Sequence, residues 1–262
     1  MKETLQLAQP GMDTIRRFQE LQYPGKTVTC PYFMNKRKQR AGLRVLIGKG
    51  SPEEIEREVS VDAHLKGFDL TKATEVEIRK FMLERDIGID CSGFIVHVLN
   101  SVFKKQYGKK LVNFLNFKDN SVISRLRRTL RSTENINADD LTGDLNCQKI
   151  TNINELIPGD LIRLKGLQKN SHHVAVITKV DKEDNKVTGF EYANSTQEYG
   201  PDNGIRIGKV TVTSPAGSLL DQNWDDFDQN GKNWFYQGLI KDYEDNGIRR
   251  LKNFDLKFVN IT

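Results

Sequence analysis

The sequence predicts an α+β protein in which helices come first and an antiparallel sheet follows. Two textures point that way. Up to about residue 90, apolar residues fall at helical spacing behind strong helix starts. From Leu156 onward, short β-branched runs alternate with polar turns. Strands do not alternate with helices, as a parallel βαβ sheet would require.

Each element follows from local signals. Asp13 to Leu21 reads as a short mixed helix. Ser51-Pro52-Glu53-Glu54 is a helix start, with serine as N-cap, proline in the first turn and acids beside the dipole, and the helix runs on toward Val61. Thr74 to Glu84, apolar at Val76, Ile78, Phe81 and Met82, reads as another. Pro158-Gly159 turns into a strand over Asp160-Leu161-Ile162-Arg163-Leu164, and His173 to Val180 is apolar enough for a central strand. Asp181 to Lys186 reads as a polar turn, Val187 to Ser195 as the next strand, and Gly204 to Val212 as one more. Consecutive strands joined by short polar turns predict an antiparallel meander. Residues 105–150 are polar and read as an insertion bearing one basic helix.

With 37% apolar and 29% charged residues over 262 positions, the chain fits a globular class and not a collagen, coiled coil or disordered tail. Its longest apolar runs fall short of the roughly 18 residues that a membrane helix needs, so no membrane partner is expected. Met1-Lys2-Glu3-Thr4-Leu5 lacks an apolar signal core, which makes the cytoplasm the expected compartment. Cys30, Cys91 and Cys147 lie far apart with no CxxC pair, so neither a disulfide framework nor a closed zinc site is expected.

The net charge of +5 is unevenly spread. Residues 1–50 hold ten basic and three acidic side chains, residues 51–100 six and eleven, and residues 101–150 ten and five. Two basic clusters stand out, Lys36-Arg37-Lys38-Gln39-Arg40 and Arg125 to Arg131. No aromatic residues interleave with them, which favours solvated faces over a nucleic-acid surface.

The segment Gly88-Ile89-Asp90-Cys91-Ser92-Gly93-Phe94 carries the most chemistry. Asp90 is a good N-cap, which puts Cys91 in the first turn of a helix, on one stripe with Ile95, Val98 and Val102. There the positive end of the dipole favours thiolate, and free N–H groups can receive an oxyanion. Taken alone, a buried helical cysteine is more often a small inert hydrophobe. A nucleophile also needs a base. His172 and His173 point to opposite faces of their strand, so one of them can meet the cysteine helix. His173 shares its face with the small Ala175 and is preferred, while His97 and His64 are weaker candidates. On the next strand, Tyr192 and Asn194 share a face, and an asparagine carbonyl there can orient the imidazole. For Asn194, a turn-closing role stands equally open.

The run Asp90-Cys91-Ser92-Gly93-Phe94, then Pro158-Gly159-Asp160-Leu161, then His173-Val174-Ala175-Val176-Ile177 resembles the NlpC-type papain-like cysteine peptidases, to which the CHAP amidases are related. The resemblance covers roughly residues 88–212. It implies a papain-like α+β core, a cysteine-bearing helix packed on an antiparallel sheet, and hydrolysis of amide bonds, typically in peptidoglycan stem peptides. Carried over by position, it implies Cys91 as nucleophile, His173 as base and Asn194 as orienting residue, where the family often has histidine. Ser92, Tyr32 and Tyr192 are candidates for oxyanion or substrate contacts. The family's Pro-Tyr and Gly-Gly elements do not directly precede the cysteine here. Pro31-Tyr32 and Gly48-Lys49-Gly50 resemble them from far upstream.

The expected organisation is therefore an N-terminal helical extension over residues 1–87 and a catalytic core over residues 88–262. The expected function is cysteine-dependent amide hydrolysis of a peptide or peptidoglycan fragment, with no metal or organic cofactor. The alternative is a binding or scaffolding protein that keeps the fold with a degraded site.

Overall fold

A computed structural model describes residues 1–34, 44–119, 121–165, 172–254 and 259–261. The basic run Lys36 to Arg40 lies outside the described residues. Those described form a mixed α+β fold with seven α-helices and a nine-stranded antiparallel sheet. Among them, no helix is long and apolar enough to cross a membrane.

The chain opens with strand β1 (Lys2–Leu7) and helix α1 (Gln9–Gln19), followed by the hairpin β2 (Leu21–Tyr23) and β3 (Lys26–Val28). Helices α2 (Pro52–Lys66), α3 (Glu75–Glu84) and α4 (Cys91–Tyr107) come next. Capping boxes at Ser51/Glu54 and Thr74/Glu77 start α2 and α3, satisfying N–H groups that a helix start leaves open. The insertion supplies α5 (Val122–Leu130) and α6 (Ala138–Thr142). Beyond it lie β4 (Cys147–Ile150), β5 (Leu161–Lys165), β6 (His172–Glu183), β7 (Lys186–Thr196), β8 (Gly204–Thr211) and β9 (Asn223–Asp225). Helix α7 (Trp234–Ile240), β10 (Gly247–Leu251) and β11 (Val259–Ile261) complete the described fold.

The sheet runs β4-β10-β5-β6-β7-β8-β9, so the meander expected from sequence forms its centre. β6 runs on to Glu183, and its turn is only Asp184-Asn185, both left-handed at φ 49° and 62°. Two residues with positive φ form the turn whose twist matches an antiparallel hairpin, so the expected six-residue turn contracts to two. The long β6 shares one edge between β5, paired at its start, and β1, paired at its end.

That pairing corrects the all-helical reading of residues 1–87. Leu5 and Leu7 alternate inward from β1, a pattern too short to declare itself until the free edge of β6 receives it. The same hydrophobic cluster contains residues from both sides of position 87. Helix α1 begins four residues earlier than expected, and its Gly11 lies against Leu7 and Val102. α4 is buried nearly all round at its start and packs against α1, β6 and β7. Cys91, Ile95, Val98 and Val102 are all buried, as their shared stripe requires. α5 is the basic helix of the insertion.

The Pro158-Gly159-Asp160 turn owes its chemistry to packing. Asp160 is wholly buried and forms a two-pronged ion pair with Arg250 of β10, Oδ1 to Nε at 2.6 Å and Oδ2 to Nη2 at 2.8 Å. Oδ2 also accepts the Ile157 N–H at 3.0 Å. Removing one partner of such a pair strands a buried charge. Asp160→Ala is expected to lower stability by about 3–5 kcal/mol in denaturant unfolding. Asp160→Ala/Arg250→Met should recover much of that loss, and a single variant as stable as the parent would refute the pair's role.

Candidate active site

The segment before Cys91 is clamped from three sides. Tyr32 and Ile89 form a parallel bridge, flanked by Ile89 N–H to Pro31 O at 3.0 Å. Asp90 N–H donates to Gly48 O at 2.9 Å, and the Ser195 hydroxyl donates to Ile89 O at 2.8 Å. Gly48 is left-handed at φ 73°, and a Cβ there would sit 2.2 Å from Phe33 O. A Cβ on Gly93 would sit 2.8 Å from Gly48 O. Glycine is needed at both places because backbone meets backbone.

Asp90 caps α4, its Oδ1 accepting the Gly93 N–H at 2.6 Å. The same oxygen takes Lys49 Nζ at 2.9 Å and the Ser92 hydroxyl at 3.1 Å. Lys49 Nζ also lies 2.5 Å from Ser92 Oγ and 3.3 Å from Ile136 O of the insertion. The Ser92 side chain is thus engaged below the helix start, while its main-chain N–H lies against the Cys91 sulfur.

The main-chain N–H of Val174, next to His173 on β6, also acts on the Cys91 thiol. Burial nevertheless pushes the Cys91 thiol up to about 12. Asp90 adds to the rise, while Lys49 and the two N–H groups oppose it. The expectation that the helix start favours thiolate is corrected here: desolvation of the charged form outweighs the dipole. Burial also raises Cys30, and it raises Cys147 to about 12. Their sulfurs face the carbonyls of Pro31 and Leu141. What separates Cys91 from them is its place on the cleft wall.

His173 lies edge-on to Phe235 of α7, with ring centroids 5.8 Å apart. Burial pushes its imidazole down to about 4, partly offset by Asn194 and Asp90. Cysteine and histidine therefore both rest neutral near pH 7. Extending the Val176–Ala193 pairing puts Asn194 opposite Ala175 and diagonal to His173. The Asn194 side chain acts on the imidazole, but the contact stops short of hydrogen-bond geometry. Nε2 of His173 and both amide atoms of Asn194 are buried without a partner. Leaving such atoms unpaired costs about 1–3 kcal/mol each, which drives these two side chains together.

The other candidates separate cleanly. Tyr32 is half-buried on the cleft wall, close enough to Cys91, Asp90 and Glu198 for their charges to act on its phenol. Tyr192 does not line the cleft. Its ring stacks on Phe235 at 4.4 Å, and its hydroxyl lies 3.4 Å from Asp226. His172 is held by two carboxylates, Nδ1 to Asp139 at 2.6 Å and Nε2 to Asp245 at 2.7 Å. His97 Nε2 lies 3.1 Å from Lys49 O.

Tyr32, Asp90, Cys91, Ser92 and His173 line a cleft of about 760 Å³. Four parts of its wall escaped the sequence reading: Lys49, the insertion from Arg127 to Asp139, the turn Thr196 to Tyr199, and α7 with Trp234 and Phe235. The lysine's signal was present, since Gly48-Lys49-Gly50 had been singled out for its glycines. Among the described residues, no group of three or more His, Cys, Asp or Glu side chains could hold a metal ion. Comparison with family models, with curated proteins and with solved structures gives no match.

The depressed imidazole has a consequence for stability. In the unfolded chain His173 takes up its proton near 6.5, while the folded protein resists protonation until about 4. Stability should therefore fall as pH drops from 6.5 toward 4, by up to about 3 kcal/mol from this residue. Half-buried His97, also pushed down by desolvation, adds to the fall. Thermal midpoints at pH 7 and pH 4.5 test this, with His173→Gln expected to lose part of the acid sensitivity. Equal sensitivity in parent and variant would show that His173 is not buried in its neutral form.

Proposed function

We propose that this protein is a cysteine-nucleophile amide hydrolase of the NlpC-type papain-like class, acting on peptide amides such as those of peptidoglycan stem peptides. One observation carries the reading. A cysteine at a helix start, main-chain N–H groups against its sulfur, and a histidine on the adjoining strand meet at one cleft. The Asn194 amide acting on that imidazole supports it further.

Because both groups rest neutral, the proton moves as the bond forms. Cys91 Sγ attacks the carbonyl carbon while its proton passes to His173. Main-chain N–H groups at the start of α4 receive the charge on the carbonyl oxygen. The C–N bond then breaks, and His173 returns its proton to the leaving amine. Water attacks the resulting thioester, again deprotonated by His173, and releases the acid and the free thiol.

Aromatic side chains and charges of both signs line the cleft: Tyr32, Trp234, Arg127, Lys165, Glu198 and Asp139. Mixed charge suits a peptide with its own amine and carboxylates better than a uniformly anionic polymer. The three thiols are free, which suits a reducing compartment such as the cytoplasm.

Peptidoglycan-derived stem peptides and unmodified peptides, with products identified by mass spectrometry, test the proposal. Cys91→Ala should abolish cleavage and His173→Ala should lower it by about 10³-fold or more. Asn194→Ala should keep roughly a tenth to a thousandth of the parent rate, and His172→Gln most of it. Cleavage that survives Cys91→Ala would overturn the assignment. A Cys91 inert to thiol-directed probes, with no substrate cleaved, would favour a non-catalytic scaffold.

A further inference from the structure

Lys49 lies beneath the nucleophile and belongs to none of the roles above. Its ammonium is almost wholly buried, with 9% of the side chain exposed, beside an Asp90 side chain exposed to 10%. A lone carboxylate at that depth would be costly, and it would stand next to the atom that must carry negative charge during attack. The lysine is aimed by three acceptors from two segments: Asp90 Oδ1 at 2.9 Å, Ser92 Oγ at 2.5 Å and Ile136 O at 3.3 Å. Its own carbonyl meets His97 Nε2 from α4 at 3.1 Å, which fixes the backbone from which the side chain reaches.

We propose that Lys49 is a positioning residue of this centre, a buried cation that neutralises Asp90, fixes Ser92 and joins the insertion to the start of the nucleophile helix. It touches neither the scissile bond nor the sulfur. It acts through Asp90, which must cap α4 and yet must not repel a negative sulfur one residue away. With the cation in place, the cap oxygen receives three donors and its charge is compensated. Without it, the same cap becomes an inhibitor of its own nucleophile.

The charged and titratable groups around the sulfur are Asp90 and Lys49, Tyr32 from the segment bridged to Ile89, and His173 on β6 at the same cleft. Of these, Asp90 and Lys49 form the compensated pair. The proposal rests on Cys91 being the nucleophile, but its test does not need a substrate.

The measurement is the rate of Cys91 alkylation by iodoacetamide between pH 7 and 10, read by mass spectrometry on the full chain, with circular dichroism to confirm folding. Lys49→Met keeps most of the unbranched side chain and removes its charge. It should slow alkylation roughly tenfold or more at every pH in that range, because Asp90 is left uncompensated. Lys49→Met/Asp90→Asn keeps an N-cap oxygen and removes both charges, and should return the rate to near the parent's. Asp90→Asn alone should accelerate alkylation, since the cation then acts unopposed. That single variant carries the test should Lys49→Met fail to fold.

An unchanged rate in Lys49→Met, or a slow rate that Asp90→Asn does not restore, overturns the proposal and reduces Lys49 to packing. So does an Asp90→Asn variant that reacts no faster than the parent. If the alkylation pattern holds while no amide substrate is ever cleaved, the functional reading fails and the role of Lys49 stands.

Discussion

The cap at Asp90 is the constraint on which the rest of the centre depends. One carboxylate oxygen has to end the backbone run before Cys91, start helix α4, and accept a buried ammonium. A helix start leaves N–H groups open, and a buried carboxylate needs compensation. Lys49 and the Gly93 N–H meet both needs at a single atom. The glycines at 48 and 93 follow from this, because the backbone carrying Lys49 must lie against the first turn of the helix. The position of Cys91 is therefore set by a charge pair and two missing Cβ atoms before any hydrophobic packing is counted.

The same burial that orders the centre holds it neutral. The Cys91 thiol is raised and the His173 imidazole lowered, each because its charged form would lose water. A pair of this kind stores no separated charge at rest. In the reaction proposed above it ionises only as a substrate carbonyl takes up the electron density, beside the N–H groups of the helix start. The electrostatic balance around the sulfur then matters more than the dipole alone, since Asp90 opposes the thiolate and Lys49 supports it.

Around this centre the cleft is assembled from distant parts of the chain. One wall comes from the insertion, tied in through Ile136, through the ion pair of Asp139 with Arg163 and through its contact with His172. Another comes from α7, whose Phe235 touches His173 and stacks on Tyr192. Tyr192 is thus a support for the wall and not part of its surface. The two adjacent histidines divide their labour by strand alternation. His173 lies on the cleft wall against Phe235, and His172 joins the insertion to the loop before β10.

By itself, the sequence determined what local rules determine. Capping residues and helical spacing set α2, α3 and α4, and alternation with short polar turns set the meander from β5 to β8. Asp90, Cys91 and His173 could be read because each belongs to a compact local pattern, a cap, a stripe and a strand face. Only the tertiary structure decided the rest. β1 becomes a strand because β6 offers it an edge, and β10 enters the sheet between β4 and β5, where Arg250 reaches the buried Asp160. The thiol's protonation is set by how much water the packed chain excludes, a quantity no local pattern records. Lys49 stands forty-two residues before Cys91 among glycines, and its charge acquires a meaning only when folding buries it against Asp90. Local patterns fix where a side chain points, but contact across long sequence separation fixes what it meets, and it is the second that makes a site.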